Sequence, residues 1–143
     1  MNAECRLPSS DHPTPPFVML VEDDAGVRAL LARVLETAGF GLAAFGNPAE
    51  ALAAARELPK VDVLVTDVGL PEVPGSELAG LVREVHPDVE VLFMSGFATP
   101  EEFRDRFHDD EDRFLQKPFR PAEFVARVIR LSARERLRAG RGT

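Results

Sequence analysis

Six residues that could do chemistry stand at the ends of apolar runs. Glu22, Asp23 and Asp24 follow directly on Phe17-Val18-Met19-Leu20-Val21. Asp67 follows the run from Val61 to Thr66, Ser95 follows one that begins at Val89, and Lys117 follows Arg113-Phe114-Leu115-Gln116. Carboxylates held together repel one another, and a hard divalent cation with oxygen ligands relieves that repulsion. A lone ammonium neutralises what remains and can bind a phosphoryl oxygen as a point charge. A carboxylate is itself a nucleophile toward phosphorus and gives an aspartyl phosphate. Cation and ammonium would then stabilise the equatorial oxygens of the group in transfer, and a serine hydroxyl could hydrogen-bond the product.

For these side chains to meet, the runs must be neighbouring strands of one sheet. The run 17–21 is continuously apolar and the run 61–66 is so except for Asp62 and Thr66, as strands buried on both faces are. Val27, Leu30, Leu31, Val34, Leu35 and Ala38 recur at helical spacing between them, with Asp24 suited to cap that helix and Gly39 to end it. A short strand over 42–45 leads to an alanine-rich helix from Pro48 to about Leu58, with Asn47 as its cap. A Gly/Pro loop follows Asp67, and a helix is expected from Ser76, with Leu78, Leu81, Val82 and Val85 on one side. A third apolar strand over 89–94 ends at Ser95-Gly96. Phe103 and Phe107 suggest an irregular or short helix in the acidic stretch 100–112. A short strand over 113–116 and a closing helix with Phe124, Val125, Val128 and Ile129 complete the pattern.

Strands and helices that alternate in this way predict an α/β domain, a parallel sheet covered on both faces by right-handed crossovers. Ligands of such sheets bind outside the carboxyl ends of the strands. All six residues fall there. Each has an ordinary use taken singly: Asp24 as a cap, Asp67 and Ser95 as turn residues, Lys117 as a surface lysine. Their coincidence at successive strand ends points instead to one site.

Composition narrows the field. The 143 residues suit one domain, and 45% hydrophobic residues suffice for its core. A net charge of −7 argues against a dedicated nucleic-acid surface. Cys5, the only cysteine, cannot form an intramolecular disulfide. No apolar run reaches the roughly 20 residues of a membrane span, and no signal peptide is apparent, so a cytoplasmic chain is expected. Residues 1–16, with four prolines, read as a flexible leader, 17–133 as the domain, and 134–143 as a basic tail. Arg134, Arg136, Arg138 and Arg141 in that tail read as a solvated helix end.

The ordered set Val21-Glu22-Asp23-Asp24, Asp67-Val-Gly-Leu-Pro71 with Gly75, Met94-Ser95-Gly96 and Gln116-Lys117-Pro118-Phe119 resembles the receiver domain of two-component response regulators. The resemblance covers 17–132. It implies a flavodoxin-like, doubly wound (βα)5 fold with strand order 2-1-3-4-5. It implies Asp67 as phosphoacceptor, and Mg²⁺ or Mn²⁺ held by Asp23, Asp24, Asp67 and the carbonyl of Gly69, with Asp24 the direct ligand and Asp23 acting through water. Ser95 and Lys117 would bind the phosphoryl group, Phe114 would be the aromatic switch residue, and Lys117–Pro118 would be a cis peptide. The implied donor is a histidine kinase or a histidine phosphotransfer protein, and the implied role is a signalling switch rather than an enzyme. Output would be protein contact, including homodimerisation, through the fourth helix, last strand and closing helix.

Candidate docking residues for the donor are Ala25, Val27, Arg28 and the loop Phe119-Arg120-Pro121. Phe97, two residues after Ser95, is expected to impede a water that attacks the phosphoryl group. Met1 and the proline-rich leader favour an independent chain over a module of a hybrid histidine kinase, which the motifs around Ser95 and Lys117 also resemble. Three other functions fit the residues less well. A phosphohydrolase would need an acid two residues beyond Asp67, where Gly69 stands. A degenerate receiver used only for binding would not need Asp67, Lys117 and the acidic residues intact. A flavodoxin-like redox domain would need a phosphate-cradling loop where three carboxylates stand.

Overall fold

The computed structural model describes residues 15–70, 72–96 and 113–141, with side chains described as far as residue 137. Strands β1 (Phe17–Val21), β2 (Gly41–Phe45), β3 (Val63–Asp67), β4 (Glu90–Ser95) and β5 (Phe114–Gln116) form one sheet in the order β2-β1-β3-β4-β5. Every neighbouring pair is parallel. Helices α1 (Ala25–Thr37), α2 (Pro48–Glu57), α3 (Gly75–Val85) and α4 (Pro121–Arg141) connect and cover the strands. This is the flavodoxin-like, doubly wound fold, with four helices among the described residues. The helix expected within 100–112 lies outside them, as do Phe97, Pro71 and residues 1–14.

The continuous apolar strands are explained by two cores, one on each face. Met19, Val21, Leu64, Val91 and Phe93 point to the α2/α3 side, where Ala51, Ala55, Leu78 and Val82 meet them. Val18, Leu20, Val63, Val65, Leu92 and Met94 point to the α1/α4 side, against Leu31, Leu35, Phe124, Val128 and Leu131. Alternate residues of one strand thus serve opposite layers, and each such side chain contributes roughly 2 kcal/mol by leaving water.

Local signals placed most boundaries. Asp24 Oδ1 accepts from Val27 N at 3.0 Å and Asn47 Oδ1 from Glu50 N at 2.9 Å, so both expected caps form. Gly39, at φ 97°, ends α1, with Gly39 N bonded to Glu36 O and Phe40 N to Leu35 O. The start of α3 differs from expectation. It begins at Gly75 after Pro74, with no side-chain cap, and Ser76 lies inside the helix. The loop's own backbone does the capping: Gly75 N donates to Val68 O at 2.8 Å.

Helix α4 continues past the expected domain end at 133. Glu135 is only 1% exposed, and Lys60 reaches it at 3.0 Å while also approaching Asp62 at 3.7 Å. Burial, then the neighbouring Asp62, pushes the Glu135 carboxyl up to about 7 against the pull of Lys60. The folded state therefore keeps a proton that the unfolded chain, with an ordinary glutamate, releases. Stability from this group is intact below the unfolded value and declines as pH rises toward 7. Glu135→Gln should raise the unfolding free energy by about 2 kcal/mol at pH 8 and change little at pH 4. Urea titrations at both pH values test this; an equal effect at the two would dismiss it.

Candidate functional site

The carboxyl end of the sheet gathers the predicted residues. Asp67 is the last residue of β3 and is paired in register with Met94 of β4, so Ser95 ends the adjacent strand one residue further on. Lys117 follows β5, and its N–H donates to the Ser95 carbonyl at 2.8 Å. The Lys117–Pro118 peptide is cis, as the resemblance implied. Glu22 continues β1 by one backbone hydrogen bond, from its N–H to Phe45 O at 3.0 Å.

One ammonium joins two carboxylates there. Lys117 Nζ lies 2.7 Å from Asp67 Oδ1 and 2.9 Å from Glu22 Oε1. Glu22 Oε2 accepts from Asp24 N at 3.0 Å, which leaves that carboxylate well satisfied. Asp67 Oδ2 is different: it is buried and has no hydrogen-bond donor. Such an atom is costly in a folded protein unless something positive meets it.

Electrostatics agree with the geometry. Burial, and then the carboxylate of Glu22, push Asp67 up to about 7, opposed by Lys117. Burial acts the same way on Glu22, but the neighbouring Asp67 and Lys117 and the Asp24 amide together outweigh it and hold the group below the usual range. The two directions belong to one coupled pair, in which Asp67 takes up a proton before Glu22 does. Lys117 is held above the ordinary lysine value: burial alone would lower it, but Asp67 and Glu22 together more than offset that. A half-protonated aspartate is a weak nucleophile, and a divalent cation beside it would favour the ionised form.

The residues present fit such a cation. Oxygen atoms of Glu22, Asp23 and Asp67 come within 4.8 Å of one another, with Asp23 exposed and the other two buried. Asp24 is not brought into this group, because its carboxylate caps α1 through Val27 N. Glu22, for which no separate role was expected, stands in the group instead. The available signal was position: Glu22 directly follows a strand buried on both faces, so its side chain leaves the sheet at the site. Gly69 lies in the bend two residues beyond Asp67, with open space around its Cα.

Ser95 is 9% exposed at the rim of the site. Phe114 is half-buried, and its ring packs against the α2/α3 core. Of the residues expected to dock a partner, Val27 lies partly against the α1/α4 core and Phe119 stacks on Phe124 at 5.6 Å. Arg28 turns inward, donating from Nη1 to the Glu22 carbonyl at 2.7 Å.

Known proteins are similar to this chain in sequence and fold. The family model described as "Response regulator receiver domain" matches residues 18–129. The chain is 33% identical over 114 residues to the response regulator receiver protein CpdR of Brucella abortus (strain 2308), covering 80% of this chain and 94% of that one. It is 38% identical over 103 residues to the sensor kinase CckA of the same organism, covering 71% of this chain but only 11% of the kinase. A solved structure of the receiver domain from the hybrid histidine kinase CckA superposes with a TM-score of 0.69 at 27% identity, covering 81% of this chain and 98% of that domain. No helix among the described residues is long and apolar enough to cross a membrane.

Proposed function

The chain belongs to the response regulator receiver family, and from that premise we propose that Asp67 is the phosphoacceptor of this two-component signalling switch. The donor is the phosphohistidine of a kinase or of a histidine phosphotransfer protein, met in the cytoplasm. One observation carries the assignment. Asp67 has one oxygen on an ammonium and the other buried without a donor, at the end of the central strand β3.

The carboxylate of Asp67 attacks phosphorus in line with the histidine nitrogen, and the P–N bond breaks as the O–P bond forms. Lys117 already sits on Oδ1, where it can follow the phosphoryl oxygens as charge builds on them. Glu22, Asp23 and Asp67, with the Gly69 carbonyl, would hold Mg²⁺ or Mn²⁺, which when bound supplies charge to the transferring group. Asp24 takes part through the turn that it caps. Gly69 offers no proton to a leaving group, so any loss of the phosphoryl group to water is unassisted from that position.

Ser95, at the end of β4, would hydrogen-bond the phosphoryl product, and Phe114 would shift as Ser95 moves. The surface of β5 and α4 would then change for a protein partner, a second copy included. Incubation with acetyl phosphate and Mg²⁺ tests the assignment by intact mass. One phosphoryl adduct per chain is expected, lost with EDTA and in Asp67→Asn. An adduct that survives in Asp67→Asn would place the phosphoacceptor elsewhere.

A further inference from the structure

The turn that carries Glu22 and Asp23 is braced from one side by a side chain with no place in the chemistry above. Arg28 lies one helical turn after the cap Asp24, and helical side chains lean toward the N-terminus. Its Nη1 reaches the Glu22 carbonyl at 2.7 Å. The same guanidinium lies against the corner between β2 and α2. A Cβ built on Gly46 would stand 2.8 Å from Arg28 Nη1 and 3.4 Å from its Cζ. Among the described glycines only Gly39 has a positive φ, so Gly46 is not required by backbone conformation. What it provides is room.

We propose that Arg28 is a positioning residue for the cation site, and that Gly46 is glycine because the Arg28 guanidinium occupies the space of a side chain there. The inference rests on Glu22, Asp23 and Asp67 being that site. Glu22, directly after β1, is tied to β2 through its N–H and Phe45 O. Its carbonyl belongs to the next peptide, the one that leads into Asp23, and Arg28 fixes it. The direction in which the chain leaves β1, and so the placement of the exposed Asp23, follows from that pair of bonds. Outer groups that orient ligands in this way typically govern affinity by 10- to 100-fold.

Gly46→Ala isolates the effect. It moves the guanidinium without removing its charge, and the atom it meets is the far end of a flexible side chain, so the fold should tolerate it. The dissociation constant for Mg²⁺, measured by titration calorimetry, should rise about tenfold. In metal-free protein the Asp24 amide, which donates to Glu22 Oε2, should exchange with deuterium faster. Thermal melting should stay within about 2 °C of wild type. In an Arg28→Ala background the added methyl has nothing to displace, and the same substitution should leave both readouts unchanged.

Mg²⁺ binding by Gly46→Ala as tight as wild type would overturn the inference. So would an undiminished effect of the methyl in the Arg28→Ala background, since the corner itself would then be responsible. Wild type that binds no Mg²⁺ would instead bring down the reading of the three carboxylates, and this inference with it.

Discussion

Gly75→Ala is expected to destabilise the domain by at least about 3 kcal/mol, the largest effect of a methyl added at any described glycine. A Cβ at this position would overlap the Asp67 carbonyl oxygen and stand 3.1 Å from its carbon and 3.2 Å from Val68 Cα. All three are backbone atoms, and none can swing aside. The close approach exists because Gly75 N donates to Val68 O, which caps α3 without a side chain. Helix and strand end are therefore locked together at Asp67, and separating them displaces that residue. Gly80 in the same helix is the control, because a Cβ there meets nothing within 4 Å. Gly80→Ala should stabilise slightly, by roughly 0.5–1 kcal/mol, since glycine is a poor helix former. Urea denaturation of the two variants should shift in opposite directions. A Gly75→Ala midpoint equal to wild type would refute the contact.

Lys117→Ala should slow phosphoryl uptake from acetyl phosphate by about 100-fold, the usual scale for removing one fixed donor from a developing oxyanion. It should also cost stability. Lys117 is the ammonium shared by Asp67 and Glu22, which are 9% and 1% exposed at their side chains. Removing it leaves two buried carboxylates against each other, a loss of about 3 kcal/mol for buried pairs, reduced here because Lys117 is partly exposed. Lys117→Arg should not restore the rate. A planar fork cannot place one atom 2.7 Å from Asp67 and 2.9 Å from Glu22 as a point ammonium does. Time-resolved intact mass measures the rate; uptake within threefold of wild type in Lys117→Ala would exclude its role in transfer.

The two variants separate position from charge. Gly75 acts through backbone geometry and Lys117 through electrostatics, although both meet at Asp67. Gly75→Ala should lower stability with or without Mg²⁺. The stability loss in Lys117→Ala should be smaller when Mg²⁺ is present, because a cation among the same carboxylates replaces part of the lost charge.

Much of this molecule is legible in one dimension because its signals are local. Five apolar runs with helical spacing between them predict a doubly wound sheet, and the caps Asp24 and Asn47 and the stop at Gly39 mark helix ends through bonds within a few residues. Strand ends are local too, which is why Asp67, Ser95 and Lys117 could be named before they were seen together. Division of labour among Glu22, Asp23 and Asp24 was not legible. Three adjacent acids are equivalent in sequence, and only the turn into α1 decides that Asp24 spends its carboxylate on a cap while Glu22 meets Lys117, 95 positions away. The inward turn of Arg28 against Gly46 and the burial of Glu135 beside Lys60 have the same origin. Residue type and periodicity determined which elements form and which ends carry chemistry. Tertiary structure decided which charges face each other, because that depends on contacts across the sheet that no local spacing encodes.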